Sequence, residues 1–231
     1  MFRLSTIRIG SRPSRLALKQ VEEVIWMLDT HNIKFEIVTF DTTGDIDKYT
    51  PISEIEGTDF FTDTIEKALL KKEIDLAVHS AKDLPDIIHP QLEIVAITES
   101  LDPYDALVVR KDLNYKSLDD LPYGAKIATS SKRRKEQLKN YRQDFEIFDI
   151  RGNIEERIEI LDRSSFDATV LASCGLIRLG LQNRITQKIP FEILRPHPLQ
   201  GCLAVEIRKD SFELKEIFKL INQKFYKGGT N

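Results

Sequence analysis

Residues 6–40 read TIRIGSRPSRLALKQVEEVIWMLDTHNIKFEIVTF, and they predict a β-strand, an α-helix and a second β-strand in succession. The β-branched run TIRIGS begins the stretch and KFEIVTF ends it. Between them, apolar residues recur at helical spacing from about Ser14 to Leu28, with Val21 and Val24 on one face. Because a helix of this length can connect two parallel strands, the opening of the chain favours an α/β fold.

The same alternation continues along most of the chain. A predicted helix at about 61–70 is followed by the strands IDLAVHS, LEIVAITE, DALVVR and AKIATS. A basic helix from Lys132, the strand FEIFDI, a helix at about 153–161 and the strand FDATVLAS come next. This order predicts mostly parallel sheets that are covered by helices on both faces.

Two pairs of segments resemble each other. RIGSRPSRLALKQ and KIATSSKRRKEQL each place a strand before hydroxyl and basic residues and a helix, while IDLAVHSAKD and FDATVLASCG each place a buried strand before a serine. We therefore predict two doubly wound lobes of similar construction, one ending near Glu99 and the other starting near Asp105. The connecting SLDPYD contains an Asp-Pro turn pattern and predicts a hinge beside a cleft.

The bulk composition is that of a globular protein. The chain has 231 residues, of which 41% are hydrophobic and 31% charged, and this is enough to bury a core. No apolar run approaches the roughly 20 residues of a membrane span, and MFRLSTIRIG does not resemble a secretory signal, so we expect a cytoplasmic protein without a membrane partner. The net charge of −3 argues against nucleic-acid binding driven by overall charge. We also expect a monomer.

The cysteines and histidines do not indicate a metal site. The two cysteines, Cys174 and Cys202, are too few for a disulfide framework, and neither they nor the four scattered histidines have metal-ligand spacing.

Hydroxyl and basic residues follow several predicted strands. Open α/β sheets bind ligands at the carboxyl ends of their strands, where helix N-termini present backbone N–H groups. Arginine beside such groups can bind a carboxylate or phosphate through two oxygens, so we predict a ligand with several acidic groups. The candidates are Ser11, Arg12, Ser14, Thr42, Thr43, Gly44, Asp45, Ser80, Lys82 and Asp83 in the first lobe and Thr129, Ser130, Ser131, Arg133, Arg134, Arg151, Gly152, Asn153 and Ser173 in the second.

Most of these candidates also have a structural interpretation. The run of Lys132, Arg133 and Arg134 is equally consistent with a solvated helix face. Ser14 and Ser130 are in positions where a hydroxyl could cap a helix.

The step from Lys82 to Asp83 is harder to explain as surface chemistry. The two residues could form a surface ion pair, which would contribute little to stability. However, a position just past a buried strand and before Leu84-Pro85 is poorly suited to mobile surface charges. We interpret Asp83 as a carboxylate that faces a cation and Lys82 as a group that binds an acidic substituent. His79 lies four residues before Asp83. For it, we favour a histidine with its hydrogen bonds satisfied at the edge of the core over a general base.

These segments together resemble a known family. RIGSRPSRLALKQ, TTGD, DLAVHSAKDLP, DPYDALV, ATSSKRRKEQL, DIRGNIEERIEIL, FDATVLASCGLIRLGL and LQGCLAVEIR are similar, in order and spacing, to hydroxymethylbilane synthase, also called porphobilinogen deaminase. The resemblance implies two lobes akin to type II periplasmic binding proteins with a hinged cleft. It places residues 1–99 and about 198–231 in the first lobe and 104–195 in the second.

The resemblance also implies an activity. The family joins four porphobilinogen molecules head to tail with release of ammonia, giving hydroxymethylbilane for haem synthesis, and it uses a dipyrromethane cofactor as primer. Asp83 would be the catalytic carboxylate that helps ammonia depart and stabilises positive azafulvene and pyrrole intermediates. The residues implied to bind or support the acetate and propionate groups are Arg12, Ser14, Lys82, Thr129, Ser130, Ser131, Arg133, Arg134, Arg151, Arg157, Arg178 and Gln200.

The sequence departs from the family pattern in three places. After one further helix the chain stops, so we expect the third family domain and its cofactor-attachment cysteine to be missing. GTDFF, with Thr58 and Asp59, stands where a Gly-Lys-Gly-Leu-Phe loop is usual, and His197, Pro198 and Cys202 replace small residues. Cys202 or Cys174 could replace the lost attachment point, although buried packing is the favoured interpretation of both.

Two functions therefore remain open from the sequence, and a phosphate-binding transferase is a weaker third, since the sequence shows no Gly-rich phosphate loop. The first is a short hydroxymethylbilane synthase with its primer held noncovalently or by a different link. The second is a two-lobed protein that binds an acidic pyrrole or another polycarboxylate without chemistry. Asp83 favours the enzyme, because binding an acidic ligand would not require a carboxylate in the pocket.

Overall fold

The computed structural model describes residues 6–28, 33–46 and 62–225. Within them the chain forms two compact units. The first unit contains the described residues up to 46, those from 62 to 100 and those from 202 to 225, and the second contains residues 101–201.

The elements alternate between strands and helices. In the first half of the chain they are β1 Thr6–Ser11, α1 Arg15–Leu28, β2 Lys34–Thr39, α2 Thr43–Ile46, α3 Asp63–Leu70, β3 Leu76–Ser80, a 3₁₀ turn Ala81–Asp83, β4 Leu92–Ile97 and β5 Asp105–Val109. In the second half they are β6 Lys126–Ala128, α4 Lys132–Tyr141, β7 Glu146–Phe148, α5 Ile154–Arg163, β8 Ala168–Ala172, α6 Ser173–Arg178, a 3₁₀ turn Gln182–Arg184, β9 Gln187–Lys188, β10 Leu203–Arg208 and α7 Phe212–Phe225.

The first unit is built on a five-stranded sheet in the order β2-β1-β3-β10-β4. β1 is parallel to β2 and β3, and β10 is antiparallel to both β3 and β4, so four strands run one way and β10 runs against them. One face of this sheet packs against α1 and α7 through residues such as Val21 and Phe218. The other face packs against α3 through Ile65 and Leu69.

The second unit repeats this plan. Its sheet has the order β7-β6-β8-β5-β9, with β6 parallel to β7 and β8 and with β5 antiparallel to β8 and β9. Leu138 of α4 belongs to the core on one face, and Ile158 and Leu161 of α5 belong to the core on the other. The predicted α/β class, with two doubly wound lobes, is confirmed.

The periodicity in the sequence explains the best predicted elements. In α1 the buried residues Ala17, Val21, Val24 and Leu28 recur every three or four positions, so a single face of the helix meets the sheet. In β3 four consecutive residues are buried, as expected for a strand covered on both sides. Among the described helices, none is long and apolar enough to cross a membrane.

Candidate functional site

Lys82 and Asp83 lie in the 3₁₀ turn that follows β3. The strand is buried up to its last residues, whereas Lys82 is partly buried and Asp83 is exposed. Leu84 ends the turn in an extended conformation, as proline at position 85 requires of the residue before it. The sequence therefore places a carboxylate in solvent directly at the end of a core strand.

The neighbouring strand brings a second group of predicted residues to the same edge. β1 and β3 are adjacent and parallel, so Arg12 and Ser14 follow β1 at the edge where the 3₁₀ turn follows β3. The Ser14 hydroxyl accepts a hydrogen bond from the Ala17 N–H at 3.2 Å and caps α1, as the N-cap interpretation predicts. Arg12 is partly buried.

Two further contacts brace this edge. The Gln20 side chain, on α1, donates a hydrogen bond to the Ser80 hydroxyl at 2.8 Å and so ties the helix to the end of β3. Nε2 of His79 lies 3.0 Å from Oε2 of Glu206 on β10, and both side chains are buried. His79 thus has a partner inside the sheet, and this contact supports the structural interpretation over that of a general base.

In the second unit, three predicted binding residues meet on one aspartate. Asp105, the first residue of β5, is 0% exposed. Its carboxylate accepts hydrogen bonds from Arg133 Nη2 at 2.7 Å, from Arg134 Nε and Nη2 at 3.0 and 2.6 Å, and from Gln200 Nε2 at 3.0 Å. Burial by itself would raise the pKa of Asp105, but the charges and hydrogen bonds of Arg134 and Arg133 hold this pKa below its ordinary value.

Because of this contact, the basic helix α4 is not a uniformly solvated face. Arg134 is buried and also donates from Nη1 to the Val170 carbonyl at 3.0 Å, whereas Lys132 is exposed and Arg133 is partly buried. The solvated-face interpretation is therefore wrong for Arg134, since its charge is neutralised inside the unit.

The hydroxyl residues after β6 are placed differently from one another. Ser130 is buried, and its hydroxyl donates to the Ile150 carbonyl at 2.7 Å and accepts from the Ile150 N–H at 2.9 Å. It fixes the segment before Arg151 and does not cap α4, whose N-cap residue is Ser131. Thr129 is buried as well, and its N–H donates to the Phe148 carbonyl at 2.8 Å.

The turn after β7 positions Arg151 and Arg157. Gly152 has a φ of +100°, a conformation that favours glycine. Asn153 then caps α5 in a reciprocal capping box with Glu156, with hydrogen bonds of 2.9 and 2.8 Å. Arg157 Nε donates to the Gly152 carbonyl at 2.8 Å, so its side chain folds back onto the turn.

Arg178 and Gln200 contact backbone carbonyls at the ends of the chain segment that forms the second unit. Arg178 Nη2 donates to the Gly201 carbonyl at 2.9 Å, and Gln200 also donates to the Pro103 carbonyl at 2.8 Å. Cys174 is buried in α6, whereas Cys202 is partly buried just before β10. Thr58 and Asp59 lie outside the described residues.

Each unit also contains a fully buried serine hydroxyl at a strand end. Ser11 ends β1 and Ser173 follows β8, and both are 0% exposed. Neither hydroxyl has a hydrogen-bond partner among the residues that the structure describes. Among the same residues, no group of three or more His, Cys, Asp or Glu side chains could hold a metal ion.

The family profile described as porphobilinogen deaminase, dipyromethane cofactor binding domain, matches residues 7–216. This match covers most of the chain. The chain belongs to the porphobilinogen deaminase family. The resemblance inferred from the motifs is therefore confirmed.

Relatives in this family are similar along most of the chain. The porphobilinogen deaminase of Natranaerobius thermophilus is 47% identical over 213 residues, which are 91% of this chain and 68% of the relative. That of Chlorobium luteolum is 44% identical over 93% of this chain and 68% of the relative, and that of Francisella tularensis subsp. holarctica is 44% identical over 94% and 72%.

Solved structures agree on the fold. The chain is similar to a protein assigned as the periplasmic sulfonate-binding protein SsuA of Methylobacillus flagellatus, with a TM-score of 0.54 and 21% identity over 98% of this chain and 68% of that one. An amino-acid ABC transporter substrate-binding protein from Streptococcus pneumoniae gives a TM-score of 0.50 and 17% identity over 95% and 88%. This likeness confirms the predicted periplasmic-binding-protein architecture of the deaminase fold.

Sequence reasoning missed Asp105 as a member of the site in this porphobilinogen deaminase family member. The sequence patterns predict a strand at DALVVR and a hinge at SLDPYD, and they include DPYDALV among the family motifs, but they do not name Asp105 as a site residue. A charged residue that begins an otherwise fully buried strand was the available signal, because buried charges are paired.

Proposed function

We propose that the chain is a hydroxymethylbilane synthase, a transferase that joins four porphobilinogen molecules head to tail with release of ammonia and so supplies porphyrin biosynthesis. Membership of the porphobilinogen deaminase family is the observation that supports this function most strongly. The alternative of a binding protein without chemistry is not favoured, since the relatives are deaminases by name. We further expect a monomer that acts in the cytoplasm.

We assign Asp83 the catalytic role. Its carboxylate is exposed at the end of β3, where a substrate can reach it. A carboxylate at this position would stabilise the positive charge that develops as ammonia leaves. Lys82, one residue earlier, would bind a substrate carboxylate and would leave Asp83 to the cation.

We assign the arginines the binding of acetate and propionate groups. A guanidinium matches a carboxylate through two parallel hydrogen bonds, whereas lysine acts as a point charge. Arg12, Arg133, Arg151, Arg157 and Arg178 are all partly buried, so each keeps some contact with solvent. Arg134, Ser130 and Gln200 are buried, and this placement favours a supporting role over direct binding for these three.

The described residues fit the dipyrromethane cofactor, which supplies the primer to which the first porphobilinogen is joined. Dipyrromethane bears acetate and propionate groups, and the basic side chains at the strand ends are suitable partners for them. The buried hydroxyls of Ser11 and Ser173, which lack partners among the described residues, are further donors at those ends. Within the first unit Arg12 and Ser14 are candidates to bind a carboxylate of this kind, and within the second unit Arg133 is such a candidate.

Turnover of porphobilinogen by the purified protein tests the proposal. We expect ammonia release together with formation of a product that cyclises to uroporphyrinogen, which oxidation by air then converts to the coloured uroporphyrin. Asp83→Ala should abolish most of this activity, whereas Asp86→Ala, which removes an exposed carboxylate three residues further on, should leave it unchanged. Binding of porphobilinogen without ammonia release would support the binding protein instead, and full activity of Asp83→Ala would refute the assigned role.

A further inference from the structure

Asp105 is the common partner of Arg133, which we assign to substrate binding, and of Arg134 and Gln200, which we assign a supporting role. Its side chain is 0% exposed and begins the buried strand β5. Arg133, Arg134 and Gln200 all donate to its two carboxylate oxygens. All four residues belong to the second unit.

The guanidinium of Arg134 is paired with Asp105 inside the second unit. Two of its N–H groups contact Oδ1 of Asp105 and a third donates to the Val170 carbonyl, and its side chain is only 8% exposed. A buried carboxylate requires a counter-charge, and Arg134 provides one. Arg134 therefore allows Asp105 to remain ionised beneath the surface.

Arg133 is held at two points but is less buried. Its Nη2 donates to Oδ2 of Asp105 at 2.7 Å and its Nη1 donates to the Arg195 carbonyl at 2.6 Å, while the side chain remains 23% exposed. These bonds use two of the five N–H groups of a guanidinium. Among residues 6–28, 33–46 and 62–225, the Arg133 guanidinium makes no other hydrogen bond.

We propose that Asp105 is a positioning residue for substrate recognition, which fixes the guanidinium of Arg133 so that its remaining N–H groups meet a substrate carboxylate in a set orientation. The inference rests on the proposed function, since the carboxylate is that of a pyrrole side chain. Arg134 supplies the counter-charge, and Gln200 completes the contacts to Asp105.

The expected effect follows from the cost of ordering an arginine. Immobilising a long side chain on binding weakens affinity about two- to tenfold, and a prefixed side chain avoids this loss. Removing the negative charge of Asp105 would also strengthen the attraction of Arg133 for anions. Because Arg133 is partly exposed and its charge is screened by water and salt, we expect the loss of orientation to outweigh this gain.

A double-mutant cycle between Asp105 and Arg133 tests the proposal. We expect Asp105→Asn to raise the KM for porphobilinogen about three- to tenfold, with kcat changed less than about twofold. In an Arg133→Met background the same substitution should not raise KM further, because Asp105 acts through Arg133. An equal rise in both backgrounds would overturn the proposal.

Asp162 provides the matched control for general destabilisation. It forms a two-point pair with Arg184, with both contacts at 2.9 Å and with a side chain that is 12% exposed, in the same unit. Asp162→Asn should lower Tm but leave KM unchanged below the unfolding transition. If Asp105→Asn does not accumulate as folded protein, Asp105→Glu replaces it in the test, because glutamate retains the negative charge but displaces it. The KM of Asp105→Glu should rise only when Arg133 is present.

A measurement without substrate separates this inference from the proposed function. Nitrogen-15 NMR of arginine side chains reports rotation about the Nε–Cζ bond, and we expect the two Nη groups of Arg133 to be resolved in the wild type and averaged in Asp105→Asn. If the wild type does not turn over porphobilinogen, the proposed function fails while this result still decides whether Asp105 fixes Arg133. Equal averaging in both proteins would overturn the fixing of Arg133.

Discussion

Asp83 in the first unit and Asp105 in the second have the same side chain in opposite environments. Asp83 follows a buried strand and is exposed, whereas Asp105 begins a buried strand and is fully enclosed. Asp105 meets two guanidinium groups that neutralise it. The difference underlies the two roles that we propose: Asp83 is open to a substrate, whereas the carboxylate oxygens of Asp105 are occupied by two guanidinium groups and are placed to organise other side chains.

The largest expected effect is a loss of kcat on changing Asp83, without the loss of stability that a change at an enclosed carboxylate would cause. Asp83→Asn removes the negative charge but keeps the shape, and kcat should fall by about 10²- to 10⁴-fold, in the range typical of general acid–base and electrostatic groups. Because Asp83 is exposed, Tm should remain close to that of the wild type. Steady-state kinetics and thermal unfolding would be measured on the same preparation, and a large loss of Tm would contradict the contrast with Asp105.

The second prediction concerns the stability of the Asp105 cluster. Arg134→Met leaves Asp105 with one cation in place of two, and breaking a buried pair costs about 3–5 kcal/mol. Urea unfolding should show this loss in the free energy of unfolding. Lys135→Met breaks a more exposed ion pair, that of Lys135 with Asp149, whose side chains are 31% and 66% exposed, and it should cost far less. Equal losses in the two variants would show that burial is not the deciding factor.

The third prediction follows from the lowered pKa of Asp105. A carboxyl whose folded pKa lies below its unfolded value of about 3.9 contributes stability that is complete above that value. This contribution is lost as the pH falls through the folded pKa. Unfolding in urea between pH 6 and pH 3 should therefore show a steeper acid loss for the wild type than for Asp105→Asn, and parallel profiles would argue against an ionised Asp105.

The smallest expected effect is on the free energy of unfolding, and it comes from removing the helix cap that Asn153 forms after Arg151. Asn153→Ala removes the side-chain cap of α5 and should lower the free energy of unfolding by about 1 kcal/mol. Asn153→Ser should retain most of the stability, since serine is also a good N-cap. Thermal unfolding of the three proteins would check the order, and an Asn153→Ser variant as unstable as Asn153→Ala would assign the effect to something other than the cap.

The sequence predicted the elements well wherever the apolar pattern was strong. The spacing of Val21, Val24 and Leu28 predicted α1, and the continuous apolar run of β3 predicted a buried strand. Predicted element ends differed by one to a few residues, as for the helix expected at about 153–161 and observed at Ile154–Arg163. The strand-end rule also placed Arg12 and Lys82 at one edge of the first sheet, because β1 and β3 are adjacent and parallel.

The roles within the second unit could not be predicted in the same way. Arg133 and Arg134 are neighbours in the sequence with the same side chain, and the charge run alone is equally consistent with a solvated face. A helix turns by about 100° per residue, so one arginine is buried against Asp105 and the other remains partly exposed. Ser130 is likewise a residue type that often caps helices, but its hydroxyl bonds the backbone of Ile150, in the segment after the neighbouring strand β7.

The sequence by itself determined the α/β alternation, the family and the position of Asp83 at the end of a core strand. These features depend on local periodicity and on short ordered motifs, which are present in the chain before it folds. Only the tertiary structure decided that Asp105 binds Arg133, Arg134 and Gln200. These partners lie between 28 and 95 positions from Asp105 along the chain, and only strand pairing and helix packing bring their charges within hydrogen-bonding distance.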